Sequence, residues 1–256
     1  MSTRPGPDTH TSMHAPRPPE PSFGERFGYA TPRALALAAA AAVLAYPSSL
    51  VLATRNPGHL PGGISPAAIA STQASAQALT VALAAFIGLM WRQRAGFPGL
   101  MRAPTAPRPL LRLPAFVLTG LAGAAISGWF FDRGHALAVP GLYASTAAQA
   151  AAVFAGSVLA QEAIARMCFL TILAAFLQRP RAALMLHALW TTFFTFTLER
   201  RSLHASAMPA GLDWMGLGFD LAANLLFGGA YASYGLAGSV LTHAAWNLKL
   251  VFVRAV

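Results

Sequence analysis

Three short polar groupings stand inside otherwise apolar stretches of the chain: Gln161-Glu162-x-x-x-Arg166, His187, and His243-x-x-x-Asn247. A charged side chain at the centre of a membrane helix costs about +2.5 to +3.5 kcal/mol on insertion scales, so such a residue is by default a functional one. Glu162 and Arg166 are four apart and share a helix face, where pairing lowers the cost of keeping both charges out of water. His243 and Asn247 repeat that spacing. An imidazole and a carboxamide on one face can donate to a developing oxyanion, or bind a metal through one nitrogen and one oxygen. Each grouping also has a plainer use. The ion pair can pin one helix to another, His187 can be a core histidine bonded to a backbone carbonyl, and His243 with Asn247 can be interhelical glue worth about 0.6 to 2 kcal/mol. Their joint occurrence on three apolar segments favours a shared site over three separate accidents.

The elements that must position these residues are membrane helices. Hydrophobic residues make up 55% of the 256 and charged ones 10%, against roughly 25% charged in an average soluble domain, and mean hydropathy is +0.52. That composition predicts an all-α, multi-pass integral membrane protein. At about 20 apolar residues per span, seven segments qualify: about 34–54, 66–91, 114–131, 146–178, 182–198, 214–232 and 236–253. The fourth is long enough to tilt, or to break near Gln178 and raise the count to eight. Residues 1–32, rich in Pro, His, Ser, Thr and Arg without apolar periodicity, read as a disordered cytoplasmic tail. Residues 33–256 read as a single helical membrane domain. The Ala-rich stretch after Arg33 is long enough to span, which makes it a retained first helix rather than a cleaved signal.

Net charge is +10, from 18 Lys and Arg against 8 Asp and Glu, yet the arginines lie between apolar runs instead of clustering on one polar face. An orientation signal explains that placement better than nucleic-acid binding, and no nucleic-acid partner is expected. The stretch holding Arg92, Arg94, Arg102, Arg108 and Arg112 also carries Pro98, Pro104, Pro107 and Pro109, and reads as an irregular inner-side loop. This puts the N-terminus in the cytoplasm and the protein in the cell inner membrane. Cys168 is the sole cysteine, so no intrachain disulfide forms, and an apolar setting makes it an inert thiol. Glu162, His187 and His243 supply candidate ligands for a divalent metal such as zinc with one position open, while the same chemistry can be written without a cofactor. Proton or ion transport would also use buried Glu and His, but the matching short or broken helices of a transporter's two halves are missing from the sequence.

In order and spacing the groupings resemble the motifs of the CPBP intramembrane proteases, also called the CAAX-protease or Abi family: Glu-Glu-x-x-x-Arg, Phe-x-x-x-His and His-x-x-x-Asn. Here they read Gln161-Glu162-Ala163-Ile164-Ala165-Arg166, Ala183-Leu184-Met185-Leu186-His187 and His243-Ala244-Ala245-Trp246-Asn247. The run Phe227-Gly228-Gly229-Ala230-Tyr231, followed by Tyr234-Gly235-Leu236-Ala237-Gly238-Ser239, is similar to the family's approach to its last motif. The resemblance covers about residues 146–250. It implies an intramembrane endopeptidase that uses activated water on a peptide bond of a membrane-associated protein or peptide, with the lipid bilayer as its other partner. His187 would help hold the water, His243 and Asn247 would polarise the scissile carbonyl, and Glu162 with Arg166 would support the site electrostatically. Two positions depart from the pattern. Ala183 replaces a phenylalanine, and Gln161 replaces the first glutamate, taken as the family's general base, with an amide that accepts no proton at useful pH. Three readings follow from Gln161. Glu162 serves as base although it points about 100° around the helix, or His187 alone orients the water, or the chain keeps the fold without proteolysis as a membrane scaffold or bacteriocin-immunity-type protein.

Overall fold

Helix α1, Phe23–Arg55, is opened by a reciprocal cap. The Glu25 N–H donates to the Ser22 hydroxyl at 3.2 Å, and the Ser22 N–H donates to the Glu25 carboxylate at 2.7 Å. This is the S-x-x-E arrangement that satisfies two otherwise orphaned donors. The cap starts the helix at Phe23 instead of about 33, so the stretch through Pro32 is helix where a disordered tail was expected. The structure is a computed structural model that describes residues 20–55, 64–101, 107–138, 144–202 and 210–253; the rest of the expected tail, 1–19, lies outside them.

Helix α2, Pro66–Ala95, is capped by the Ser65 hydroxyl and stopped by Gly96 in the left-handed conformation, φ 73°. Helix α3, Pro107–Ser127, runs through a π-helical turn, Gly128–Asp132, into α4, Arg133–Ala138. The expected irregular loop from Arg92 to Arg112 is therefore helical at both ends; its middle, 102–106, lies outside the described residues. Proline at the first helical position gives up only a donor that would have no intrahelical partner. Helix α5, Ala147–Glu162, passes through a longer π-helical stretch, Ala163–Leu170, into α6, Thr171–Leu177. The chain breaks at Gln178, which adopts φ 53°. Then follow α7, Pro180–Ser202, α8, Ala210–Tyr234, α9, Leu236–Asn247, and the short α10, Lys249–Phe252.

Among the described residues there are helices and no strand, and four helical runs are long and apolar enough to cross a membrane: Phe23–Thr54, Pro66–Ala95, Arg112–Asp132 and Ala147–Leu177. These coincide with the first four expected segments. The expected count of seven or eight is not confirmed among the described residues, for reasons of composition and length. The last three segments do form helices, but α7 carries His187, Thr191, Thr192 and Thr195, α8 carries Asp220 and Asn224, and α9 is only 12 residues long.

Small residues let the helices that carry the polar groupings come close. A Cβ on Gly88 of α2 would collide with the Met167 carbonyl of the π-helical stretch, and one on Gly120 of α3 would sit 2.8 Å from the Thr242 carbonyl of α9. Gly123 lies under the Trp246 ring in the same way. Close backbone approach through glycine and alanine is how helices pack where lipid supplies no hydrophobic drive between them. Around Met167 the core gathers Ala41 of α1, Val81 and Leu89 of α2, Leu170, and Tyr231 of α8, all buried. At the far end of α9 the Lys249 ammonium bonds Asp132 at 2.8 Å and Ser127 at 2.9 Å, tying that helix to the π turn after α3.

The start of α9 is fixed by the segment after α2. The Leu236 and Ala237 N–H groups donate to the Gly99 and Leu100 carbonyls at 2.8 and 3.0 Å, so two of the helix's orphaned donors are satisfied from another part of the chain. Gly235 makes the corner at φ 79°, ψ −165°, a region open essentially to glycine alone, and a Cβ there would lie 2.6 Å from the Gly99 carbonyl. Gly235→Ala is expected to cost at least about 1–3 kcal/mol from backbone strain alone. Gly24→Ala, with nothing within 4 Å of its Cβ, should be neutral or gain up to about 1 kcal/mol. Denaturant unfolding of both variants in detergent micelles checks the contrast.

Candidate functional site

Glu162 ends α5 with its side chain fully buried, at 0% exposure. One carboxylate oxygen accepts from His243 Nδ1 at 2.7 Å, and the other accepts from the Ser239 hydroxyl and lies 3.6 Å from Arg166 Nε. Ser239 and His243 are four apart on α9, so one face of that helix supplies both donors. Arg166, itself 4% exposed, turns its other end outward from the pair. Its Nη2 donates to Asn224 Oδ1 at 2.6 Å, and Asn224 Nδ2 donates to the Thr192 hydroxyl at 3.0 Å. The network thus runs from α5 through the π-helical stretch and α9 to α8 and α7.

The widened backbone after Glu162 has its own polar consequences. A π turn replaces i→i+4 bonds with i→i+5 bonds, and such turns occur frequently at functional sites. Within it the Ala165 carbonyl accepts from His187 Nε2 at 2.6 Å and the Arg166 carbonyl accepts from the Thr171 hydroxyl at 3.3 Å. A carbonyl can only accept, so His187 carries its proton on Nε2. His187 is 2% exposed, and its Nδ1 is buried without a hydrogen-bond partner among the described residues. The plain use of His187, a core histidine bonded to a backbone carbonyl, is what its Nε2 displays.

The same reasoning fixes His243. With the Glu162 carboxylate as acceptor, Nδ1 carries the proton and Nε2 presents a lone pair in the neutral ring. Phe227 stacks on the imidazole at 4.4 Å between centroids and 14° between planes, and the Arg166 guanidinium lies 5.6 Å from the centroid of that same Phe227 ring. His243 Nε2 has no hydrogen bond to a described residue, and the side chain keeps 11% exposure. The arrangement is a carboxylate-oriented imidazole, stacked on an aromatic ring, whose second nitrogen bonds no described residue.

Of the residues singled out in the sequence, Glu162, Arg166 and His243 come together directly. His187 joins them through the backbone next to Arg166. Asn247 is the last residue of α9, half-buried, and Gln161 is exposed; neither side chain bonds a described residue. The three candidate metal ligands do not assemble. No group of three His, Cys, Asp or Glu side chains comes together among the described residues, because Glu162 and His243 bond each other while His187 is turned to Ala165. Cys168 is buried and free, as expected.

Ser239, Asn224, Thr192 and the stacking role of Phe227 were not read as part of the site. Two of them had a signal. Asn224 interrupts the run Leu221-Ala222-Ala223-Asn224-Leu225-Leu226 as a costly amide in an apolar helix, and Ser239 precedes His243 by one helical turn. Thr192, in a threonine-rich helix, stood out in no way.

Comparison of the chain with protein-family models, curated proteins and solved structures finds no match.

The buried pair makes a stability prediction. Glu162→Gln leaves the Arg166 guanidinium buried without its counter-charge, which is expected to cost about 3–5 kcal/mol. Glu162→Gln/Arg166→Met should recover a large part of that loss. Unfolding free energies that simply add across the two positions would show that the pair is not coupled.

Proposed function

We propose that the protein is an intramembrane endopeptidase of the CPBP type, hydrolysing a peptide bond of a membrane-associated protein or peptide. The observation that carries this reading is the Glu162–His243 contact of 2.7 Å in a fully buried carboxylate's environment. It supplies the proton acceptor that Gln161 cannot be. Glu162 itself is poorly suited to that part, since both of its oxygens are already engaged and neither reaches solvent.

In this mechanism His243 Nε2 takes a proton from water as the oxygen attacks the scissile carbonyl carbon. The resulting imidazolium is stabilised by Glu162 on Nδ1, and it returns the proton to the departing amine as the carbon–nitrogen bond breaks. Glu162 and Arg166 are positioning residues that hold the ring in one tautomer. Asn247, one turn beyond His243, is the closest amide donor on that helix for the tetrahedral oxyanion. No step calls for a metal. The whole bundle, including α7, α8 and α9, sits in the cell inner membrane in this reading, with the N-terminus cytoplasmic, as the arginine distribution favours.

A second reading rests on Gln161. An amide stands where the resembling family has a carboxylate, and the side chain is exposed and apart from the Glu162 network, which favours a non-proteolytic membrane scaffold or immunity-type protein. The two separate in proteoliposomes carrying single-span peptide substrates, with cleavage read by mass spectrometry. His243→Ala should lower cleavage by at least about 10²-fold, the usual contribution of a general base, and Gln161→Glu should leave it near wild type. Undiminished cleavage in His243→Ala would sink the proposed mechanism. No cleavage by wild type combined with its appearance in Gln161→Glu would establish the second reading.

A further inference from the structure

A separate concentration of cations lies where the start of α1 meets the end of α2. The two helices run antiparallel there, with Phe27 set edge-on to Phe86 at 5.5 Å, and the long side chains of Arg33 and Arg92 converge on Tyr29. Glu25, Arg26, Tyr29, Leu89, Arg92 and Gln93 line a pocket between them. The guanidinium carbons of Arg33 and Arg92 lie over the single Tyr29 ring at 3.8 and 4.0 Å, which holds two like charges close together. Arg26 Nε is buried and has no hydrogen-bond partner among the described residues.

The one carboxylate in the pocket is already committed. Glu25 Oε2 accepts from the Ser22 N–H at 2.7 Å and from its hydroxyl at 2.9 Å, which turns the carboxylate toward the helix cap. The N-terminus of α1 adds a partial positive charge of its own. Two guanidiniums, Arg26 and Arg92, line the pocket against the single carboxylate of Glu25 and leave it net positive, and the planar fork of arginine matches the oxygens of a phosphate. The pocket also sits at the ends of two helices long and apolar enough to cross a membrane, which is the depth of lipid headgroups, and basic pockets between membrane helices are headgroup sites.

We propose that this pocket binds the phosphate of an anionic phospholipid headgroup, gripped by Arg26 and Arg92. The site is independent of the hydrolase reading. Its test uses the full chain in nanodiscs of mixed phosphatidylcholine and phosphatidylglycerol, with retained lipid counted by native mass spectrometry. Wild type should retain phosphatidylglycerol over phosphatidylcholine, and Arg26→Ala/Arg92→Ala should reduce that preference at least about tenfold, on roughly 1 kcal/mol per interfacial arginine. Circular dichroism gates the comparison; should the double variant not fold, Arg26→Gln is read in its place with a several-fold loss expected. Arg133→Ala, which removes an exposed arginine lying over Trp129 at 5.5 Å, should change nothing. An equal loss in Arg133→Ala, or no lipid preference in wild type, would overturn the pocket. Titration with inorganic phosphate separates the sources: phosphate bound at the arginines without lipid enrichment overturns the lipid assignment, and lipid enrichment that survives phosphate supports it.

Discussion

A single fully buried carboxylate sets the terms for the rest of this structure. Taking an ionised group out of water costs several kcal/mol even after relaxation, and the cost is offset only by partners of good geometry on every lone pair. Glu162 is bonded by Ser239 and His243 from α9, and the Arg166 guanidinium, one turn on at 3.6 Å, supplies the opposite charge. Compensation then propagates. Arg166 is a buried guanidinium with donors of its own, and one of these goes to Asn224, which in turn holds Thr192. One negative charge thereby fixes the relative register of α5, α7, α8 and α9.

Such a network is held together only if backbones can approach closely enough for short side chains to reach. Glycine at 88, 120 and 123 brings α2 against the π-helical stretch and α3 against α9. Both ends of α9 are also tied down, by the Gly99 and Leu100 carbonyls at its start and by the Lys249–Asp132 pair just past its end. The helix that presents His243 is therefore constrained along its whole length, and Phe227 restrains the ring itself. Preorganisation of this kind is what a proton-transfer group requires, because the geometry is set before substrate arrives.

Much of this was legible in the chain, and the illegible parts share a cause. Polar residues in apolar runs announce themselves by their cost, so Glu162, Arg166, His187 and His243 were visible at once, and the four long apolar runs with them. The earlier start of α1 was visible in principle, since Ser22-Phe23-Gly24-Glu25 is a capping box whose signal the surrounding prolines obscured. The π-helical stretch from Ala163 to Leu170 carries no such signature. Its residues, Ala-Ile-Ala-Arg-Met-Cys-Phe-Leu, suit an α-helix equally well, and the loosened carbonyls are met by His187 from α7 and, locally, by the Thr171 hydroxyl. The last three expected segments are less legible for a related reason: α7, α8 and α9 form helices, but their polar residues and, for α9, its length leave them short of what length and composition alone can mark as a crossing.

The adjacent pair Gln161 and Glu162 shows how strictly helical geometry sorts chemistry. Neighbours on a helix point about 100° apart, and here one lies fully buried in a compensated network while the other is exposed. The buried network is charge-balanced by Glu162 and Arg166 alone, so it makes no demand on position 161, and an amide there costs it nothing. A carboxylate at 161 would stand outside that balance, with no described cation bonded to it. In the proposed hydrolase reading, catalysis falls on a group that the network orients but does not consume. Glu162 is consumed, by three partners; His187 spends its only proton on Ala165; and His243 alone combines a fixed tautomer, a restrained ring and an unengaged nitrogen.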